Sequence, residues 1–85
     1  MSKVIMYSTT YCPYCERARE LLEKKEVEYT DIKIDEHPEK REEMVAKSGG
    51  HTVPQLFING QHIGGCDDMY ALEAKGQLDK LLQIG

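Results

Sequence analysis

Two cysteines separated by two residues, in the segment Cys12-Pro13-Tyr14-Cys15, are the residues of this sequence best suited to covalent chemistry. The thiolate is the attacking form of a cysteine, and it is stabilised where N–H donors and the positive end of a helix face the sulfur. A helical pattern begins at Pro13, and a proline is well placed in a first helical turn because its missing N–H is not needed there. We therefore predict that Cys12 lies at the amino end of a helix and acts as a nucleophile.

The spacing predicts different tasks for the two sulfurs. Cys15 falls within the first helical turn, where it can approach Cys12 and close a short disulfide. Cys12, at the mouth of the helix, is then the attacker, and Cys15 is the thiol that resolves the mixed disulfide. This interpretation makes Cys12–Cys15 a redox-active disulfide.

Two other interpretations of the cysteine pair are open. Two cysteines at this spacing are half of a zinc site, which usually takes four ligands. The other candidate ligands lie scattered and form no second pair: Cys66, His37, His51 and His62. Two inert core cysteines would more often be separated and flanked by apolar residues. We favour the redox interpretation and expect no metal.

Hydrophobic periodicity predicts the elements that position these cysteines. The apolar run Lys3–Tyr7 predicts a buried strand, a helix follows from Pro13, and residues 27–35 predict a second strand, which together form a βαβ unit. The remaining predicted elements are a helix over Glu39–Lys47, strands over Gln55–Ile58 and Gln61–Ile63 joined by an Asn59-Gly60 turn, and helical spacing from Asp67 to Ala74 that Gly76 interrupts before Leu78–Leu82. One α/β domain over residues 1–85 follows.

The pattern also assigns faces to the first helix. Its apolar positions are Tyr14, Ala18, Leu21, Leu22 and Lys25. Its predicted solvent face carries Glu16, Arg17, Arg19, Glu20 and Glu23.

Composition excludes several classes of protein. A formal charge of −4 is wrong for a dedicated nucleic-acid binder. The apolar runs are only a few residues long, which excludes a membrane span and gives no sign of a signal peptide. Three cysteines in 85 residues cannot form a multi-disulfide framework, so we expect a cytoplasmic protein.

Three segments in order resemble the glutaredoxin family, and the resemblance covers essentially the whole chain. Cys12-Pro13-Tyr14-Cys15 resembles the dithiol active site, Thr52-Val53-Pro54 the cis-proline loop, and residues 64–68 (Gly-Gly-Cys-Asp-Asp) the glycine–glycine–x–x–Asp segment. The pattern is most similar to the short bacterial dithiol members. The resemblance implies a thioredoxin-like α/β fold, with a four-stranded mixed β-sheet flanked by helices.

The resemblance further implies a glutathione-dependent thiol–disulfide oxidoreductase. Protein disulfides would be reduced through Cys12 and Cys15, and glutathione mixed disulfides through Cys12 alone. Glutathione would be the reducing co-substrate, with no tightly bound cofactor. The implied partners are disulfide-containing or glutathionylated proteins, ribonucleotide reductase being a family-level candidate, and we expect a monomer.

The glutathione-binding residues implied by the resemblance are Tyr14, Arg41, Thr52, Val53, Pro54, Cys66 and Asp67. The backbone of Val53 would pair with the cysteinyl moiety as a strand edge pairs with a peptide. The helix that starts at Cys66 and Asp67 would hold the γ-glutamyl carboxylate with its N–H groups, and an Asp side chain would take the α-ammonium. Arg41 matches the position that commonly contacts the glycine carboxylate.

One departure from the family concerns the residues before Cys12. Many members carry a lysine about three positions ahead of this cysteine, whereas residues 8–11 here are Ser-Thr-Thr-Tyr. Either the pKa of Cys12 is less depressed, or another charge such as Arg41 compensates. Two alternative functions are a thioredoxin-type protein reduced by a flavoprotein and a non-enzymatic iron–sulfur carrier bridged through Cys12.

Overall fold

The computed structural model describes residues 3–84. Its elements, in chain order, are β1 (Val4–Ser8), α1 (Pro13–Lys24), β2 (Thr30–Lys33), α2 (Glu39–Ser48), β3 (Gln55–Ile58), β4 (Gln61–Gly64), α3 (Cys66–Ala74) and α4 (Leu78–Leu82). Residues 1, 2 and 85 lie outside this description, so the domain bounds 1–85 stay a prediction.

The strands form one sheet in the order β2-β1-β3-β4. Strand β1 pairs parallel with β2, where Tyr7 lies opposite Ile32, and antiparallel with β3, where Tyr7 lies opposite Gln55. Strands β3 and β4 are antiparallel. A parallel pair needs a long crossover, which α1 supplies. The thioredoxin-like fold with a four-stranded mixed sheet flanked by helices is thereby confirmed.

The alternation of side chains along β1 and β3 divides the core between the two faces of the sheet. Val4 and Met6 pack with the first, third and fourth helices through Ala18, Leu22, Met69, Leu78 and Leu82. Tyr7 and Phe57 point to the opposite face and pack with Ile34 and with Met44 of α2. The two faces are therefore covered by different helices. Strand β1 leads through a short loop to the start of α1, where Cys12 and Cys15 lie.

Strand β2 is shorter than the predicted range of residues 27–35. The chain first completes the end of α1, because the Val27 amide donates to the Leu22 carbonyl at 3.1 Å and Glu26 takes a positive φ of 58°. A turn then follows Lys33, whose carbonyl accepts the amides of Glu36 and His37. The pairing with β1 is therefore confined to Thr30–Lys33, with one further bond from the Ile34 amide to the Ser8 carbonyl at 2.8 Å.

The turn signals were informative. Asn59 and Gly60 have φ of 53° and 82°, the two positive values that the predicted hairpin turn needs. Gly49 caps α2 with φ of 76°, and Gly76, at 71°, interrupts the chain before α4. Within residues 3–84, no helix is both long and apolar enough to cross a membrane.

Candidate active site

Cys12 lies at the amino end of α1, as predicted. It is the N-cap residue, with an extended backbone (φ −94°, ψ 118°), and Pro13 is the first helical residue. The Cys12 carbonyl accepts the Glu16 amide at 3.0 Å and so starts the helix. The unused amides of the first turn consequently face the Cys12 sulfur.

Hydrogen bonds lower the pKa of Cys12 despite its partial burial. Burial alone would raise this pKa, but the Cys15 thiol, the backbone N–H groups of Cys15 and Tyr14, and the Thr9 hydroxyl all donate to the sulfur and favour the thiolate. The groups that lower the pKa most are donors rather than a cation. These donors lower the pKa of Cys12 in a chain that has no lysine among residues 8–11.

Cys15 has the opposite environment three residues later. Its side chain is fully buried, and burial raises its pKa to about 12, more than the Thr9 backbone N–H and the Arg19 charge lower it. Both cysteines are free thiols in this structure. One sulfur is thus accessible and readily ionised and the other is enclosed and protonated, which suits an attacker and a resolver.

These environments predict how alkylation depends on pH. The rate with iodoacetamide should rise through an inflection below the ordinary thiol range and then level off, because only Cys12 ionises there. Replacing Cys15 with alanine removes a donor to the Cys12 thiolate, so the inflection should move to higher pH. Cys15→Ser keeps a donor and should move it less. Stopped-flow alkylation of the three proteins measures this, and equal inflections in all three would contradict the assigned hydrogen bond.

A groove of about 350 Å³ runs beside the cysteines. It is lined by Tyr14, Thr52, Val53, Pro54, Gln55, His62, Gly64, Gly65, Cys66, Asp67 and Asp68. The Val53–Pro54 peptide bond is cis, as the resemblance to the glutaredoxin family implies. The Cys12 Sγ lies 3.9 Å from the Val53 carbonyl oxygen, close enough for the thiol to donate to it. The groove therefore opens next to the nucleophile.

Six of the seven residues expected to bind glutathione line this groove, and Arg41 does not. Arg41 is exposed on α2, and its guanidinium donates to the His51 carbonyl at 3.4 Å. It therefore lies beside the loop that leads into Thr52.

Two groove residues, Gln55 and His62, were not among the residues expected at the glutathione site. The buried Gln55 carboxamide contacts His62 Nε2 at 2.7 Å and donates to the Thr52 carbonyl at 3.1 Å. His62 also stacks against Phe57, with ring centroids 5.1 Å apart. Gln55 lies at the start of β3 and His62 on β4, so only the strand pairing brings them together. They support the loop that carries the cis peptide bond.

The other end of the groove is the start of α3. Gly65 is the N-cap residue, and its amide donates to the Asp68 carboxylate at 3.0 Å, which fixes the first turn. Cys66 is buried at this turn, and burial raises the pKa of its thiol, whereas Asp67 is exposed. The arrangement places N–H donors and a carboxylate together at the groove wall.

The predicted faces of α1 need two corrections. Tyr14 is 54% exposed instead of buried, because the helix turns Cys15 inward, and Arg17 lies over its ring at 5.8 Å. Arg19, predicted on the solvent face, has a side chain only 16% exposed and is paired with Asp31. Lys25, predicted on the apolar face, has a side chain only 12% exposed, in agreement with that placement, and its ammonium group pairs with Glu73 at 2.8 Å and Asp79 at 2.5 Å.

The zinc alternative finds no ligand set in the part of the chain that the structure describes. Across residues 3–84, no group of three or more His, Cys, Asp or Glu side chains is placed to hold a metal ion. A structural zinc site needs four ligands. The Cys12 and Cys15 pair therefore has no further ligands there.

Several known proteins are similar to this chain in sequence and in fold. The glutaredoxin family model matches residues 4–63. Glutaredoxin 3 of Escherichia coli (strain K12) is 54% identical over 83 residues, which cover 98% of this chain and 100% of that protein.

Two solved structures extend the comparison. The solution structure of glutaredoxin from Brucella melitensis is 51% identical, with a TM-score of 0.81 over 94% of this chain and 87% of that one. The crystal structure of the buckwheat glutaredoxin–glutathione complex is 32% identical, with a TM-score of 0.88 over 96% and 77%. The family model covers most of the chain and the bacterial relative matches along its full length, so this chain belongs to the glutaredoxin family of thiol–disulfide oxidoreductases.

Proposed function

We propose that this protein uses glutathione to reduce protein disulfides through Cys12 and Cys15, and glutathione mixed disulfides through Cys12 alone. The observation that carries the proposal is the contrast between the two thiols beside one groove. Hydrogen bonds lower the pKa of Cys12, whose sulfur lies 3.9 Å from the carbonyl oxygen of the groove residue Val53, while burial raises the pKa of Cys15 to about 12. A nucleophile and a protected resolver are what the dithiol route requires.

The dithiol route begins when the Cys12 thiolate attacks one sulfur of a protein disulfide. A Cys12–substrate disulfide forms, and the other substrate sulfur leaves as a thiolate. Cys15 then loses its proton and attacks Cys12 Sγ, releasing the second substrate thiol and forming Cys12–Cys15. The substrate gains two electrons, and two glutathione molecules return the pair to the dithiol form as they become glutathione disulfide.

The monothiol route needs no resolver. The Cys12 thiolate attacks the glutathione sulfur of a mixed disulfide, so the substrate thiol leaves and glutathione stays on Cys12. A second glutathione thiolate then attacks that glutathione sulfur, freeing Cys12 and forming glutathione disulfide. This route therefore requires only the Cys12 nucleophile and the groove that binds glutathione.

The groove suits the chemistry of glutathione, a peptide with two carboxylates and one ammonium group at neutral pH. Val53 offers backbone groups for the cysteinyl part, next to the Cys12 sulfur. The first-turn N–H groups of α3 would bind the γ-glutamyl carboxylate of glutathione, and Asp67 would supply a negative charge for its α-ammonium group. Tyr14, Thr52, Pro54 and Cys66 complete the walls, and Arg41 stands near Thr52 for the second carboxylate. The buckwheat relative has been solved in complex with glutathione.

Removing the Asp67 charge tests the orientation of glutathione. Asp67 is exposed, so an ion pair there is worth about 0.2–1 kcal/mol, and Asp67→Asn should raise the KM for glutathione by roughly 1.5- to 5-fold with little change in kcat. The matched control is Glu20→Gln, an exposed carboxylate on α1 outside the groove. Steady-state kinetics at low ionic strength measures both. An equal KM in Asp67→Asn and the native protein would contradict the assigned contact.

A coupled assay tests the proposed function itself. The protein is mixed with glutathione, glutathione reductase, NADPH and a small glutathione mixed disulfide, and NADPH oxidation is followed. We expect turnover here and none when thioredoxin reductase replaces glutathione and its reductase. The reverse pattern would favour the thioredoxin-type alternative and refute the proposal.

A further inference from the structure

Arg19 is a cation that interacts with the buried thiol of Cys15, and it has no part in the two routes described above. Arg19 Nε donates to Asp31 at 2.7 Å, and Arg19 Nη2 donates to the Ser8 hydroxyl at 2.9 Å and to the Thr9 carbonyl at 3.0 Å. The Ser8 hydroxyl in turn donates to the other Asp31 oxygen. One guanidinium therefore joins α1 to β2 and to the end of β1.

This cluster adjoins the cysteine pair. Arg19 follows Cys15 by four residues, so the two side chains are neighbours on one face of α1. Thr9, whose carbonyl Arg19 holds, donates its backbone N–H to Cys15 and its hydroxyl to Cys12. Ser8 is fully buried and Thr9 is 7% exposed, which keeps these contacts away from solvent. Arg19 thus holds the Thr9 backbone, whose N–H donates to the Cys15 sulfur.

We propose that Arg19 is a positioning residue for the second half of the dithiol route, holding Thr9 beneath Cys15 and presenting a positive charge to that sulfur as it ionises. This inference rests on the proposed dithiol function. It assigns Arg19 only a small effect on the first attack, since three of the four donors to the Cys12 thiolate, the Cys15 thiol and the N–H groups of Cys15 and Tyr14, do not depend on Thr9.

The step that Arg19 assists is the attack of Cys15 on the Cys12–substrate disulfide. Cys15 gives its proton to solvent, its sulfur bonds to Cys12 Sγ, and the Cys12–substrate bond breaks as the substrate thiolate leaves and is protonated. Burial opposes ionisation of Cys15, raising its pKa to about 12, and the Arg19 charge acts in the other direction. Asp31 balances the guanidinium charge, and Tyr29 is a further acidic group that interacts with it.

A purely structural role would give a different result. An ion pair between helix and strand could stabilise the fold without influencing sulfur chemistry. Lys25 provides a matched comparison, because it pairs with Glu73 and Asp79 and its side chain is 12% exposed. It follows Cys15 by ten residues, whereas Arg19 follows it by four. Loss of Lys25 should therefore lower stability and leave both sulfur steps unchanged.

The experiment uses a chromogenic aromatic disulfide whose two halves are released in sequence. The first coloured thiolate appears when Cys12 attacks, and the second appears when Cys15 resolves the adduct, so one stopped-flow trace separates the steps. The variants are Arg19→Met, Arg19→Gln, Arg19→Lys and Lys25→Met, each checked by thermal unfolding. Arg19→Gln carries the test if Arg19→Met does not fold.

We expect the second step to slow about 3- to 10-fold in Arg19→Met and Arg19→Gln. Each unit by which the pKa of Cys15 rises lowers its thiolate fraction tenfold, and higher nucleophilicity recovers about threefold, leaving a net loss of about threefold per unit. Arg19→Lys should restore most of the rate, and the first step should stay within about twofold of the native rate throughout.

An unchanged second step, equal slowing of both steps, or the same loss in Lys25→Met would overturn the role of Arg19. Absence of the first step in the native protein would instead refute the proposed function. The two failures are therefore distinguishable.

Discussion

Cys12→Ser is expected to have no activity by either route, whereas Cys15→Ser loses only one of them. A serine hydroxyl is not ionised at neutral pH, so at position 12 neither a protein disulfide nor a glutathione mixed disulfide is attacked. At position 15 the substitution removes the resolver while leaving a hydrogen-bond donor to Cys12. Protein-disulfide reduction should fall to the uncatalysed rate, and deglutathionylation should stay within a few-fold of native.

Two assays on the same preparations measure this difference. Insulin reduction follows the dithiol route, and the coupled assay with a small glutathione mixed disulfide follows the monothiol route. Glu20→Gln is the control, because Glu20 is exposed on α1, lies outside the groove and takes part in neither exchange step. Equal loss of deglutathionylation in Cys12→Ser and Cys15→Ser would refute the division of tasks between the two thiols.

Gly64→Ala should produce the largest loss of stability among substitutions of the glycines in residues 3–84. Gly64 has φ of +120°, and a Cβ there would lie 2.3 Å from Asp68 Oδ2 and 2.9 Å from Asp68 Cβ. Both the backbone and the carboxylate that accepts the Gly65 amide must shift. We expect a loss of about 2–4 kcal/mol in the free energy of unfolding, or roughly 10–25 °C in Tm.

Gly60→Ala separates the two causes. Gly60 also has a positive φ, +82°, but a Cβ there meets nothing within 4 Å, so only backbone strain of about 1 kcal/mol is added. Since Asp68 holds the start of α3, Gly64→Ala should also raise the KM for glutathione, and Gly60→Ala should not. Chemical denaturation and steady-state kinetics measure both effects. Similar losses of stability in the two variants would mean that the clash with Asp68 contributes little.

Local signals predicted most of the fold. The Asn59-Gly60 turn, the Gly49 cap and the break at Gly76 are set by backbone conformations that only certain residues adopt readily, so sequence specifies them directly. The end of α1 was harder to predict, because Val27 looks like a strand residue until its amide is seen to close the helix.

The partners of charged residues were not predictable from periodicity. Helical spacing reports which side of a helix a residue occupies, but it cannot report that Asp31 on another strand reaches Arg19, or that Glu73 and Asp79 reach Lys25. These partners allow both cationic side chains to be mostly buried. Tyr14 was misplaced because the first turn of α1 rotates Cys15 inward.

The candidate site was predicted as far as motifs reach. The three segments that resemble the family meet along one groove, since each lies at the same end of the sheet. The sequence did not predict that Gln55 and His62 line the groove, because the polar contact between them depends on the pairing of β3 with β4. The donors around Cys12 are local groups, from Thr9 and from the first turn of α1, and the helix start at Pro13 predicts the N–H donors among them.

The most direct test of the account is the identity of the sulfur that carries glutathione. Cys15→Ser protein is incubated with glutathione disulfide, and intact-mass measurement followed by peptide mapping locates the adduct. The account predicts one glutathione per chain, attached to Cys12 and released by added glutathione. An adduct on Cys66, or no adduct on Cys12, would contradict it.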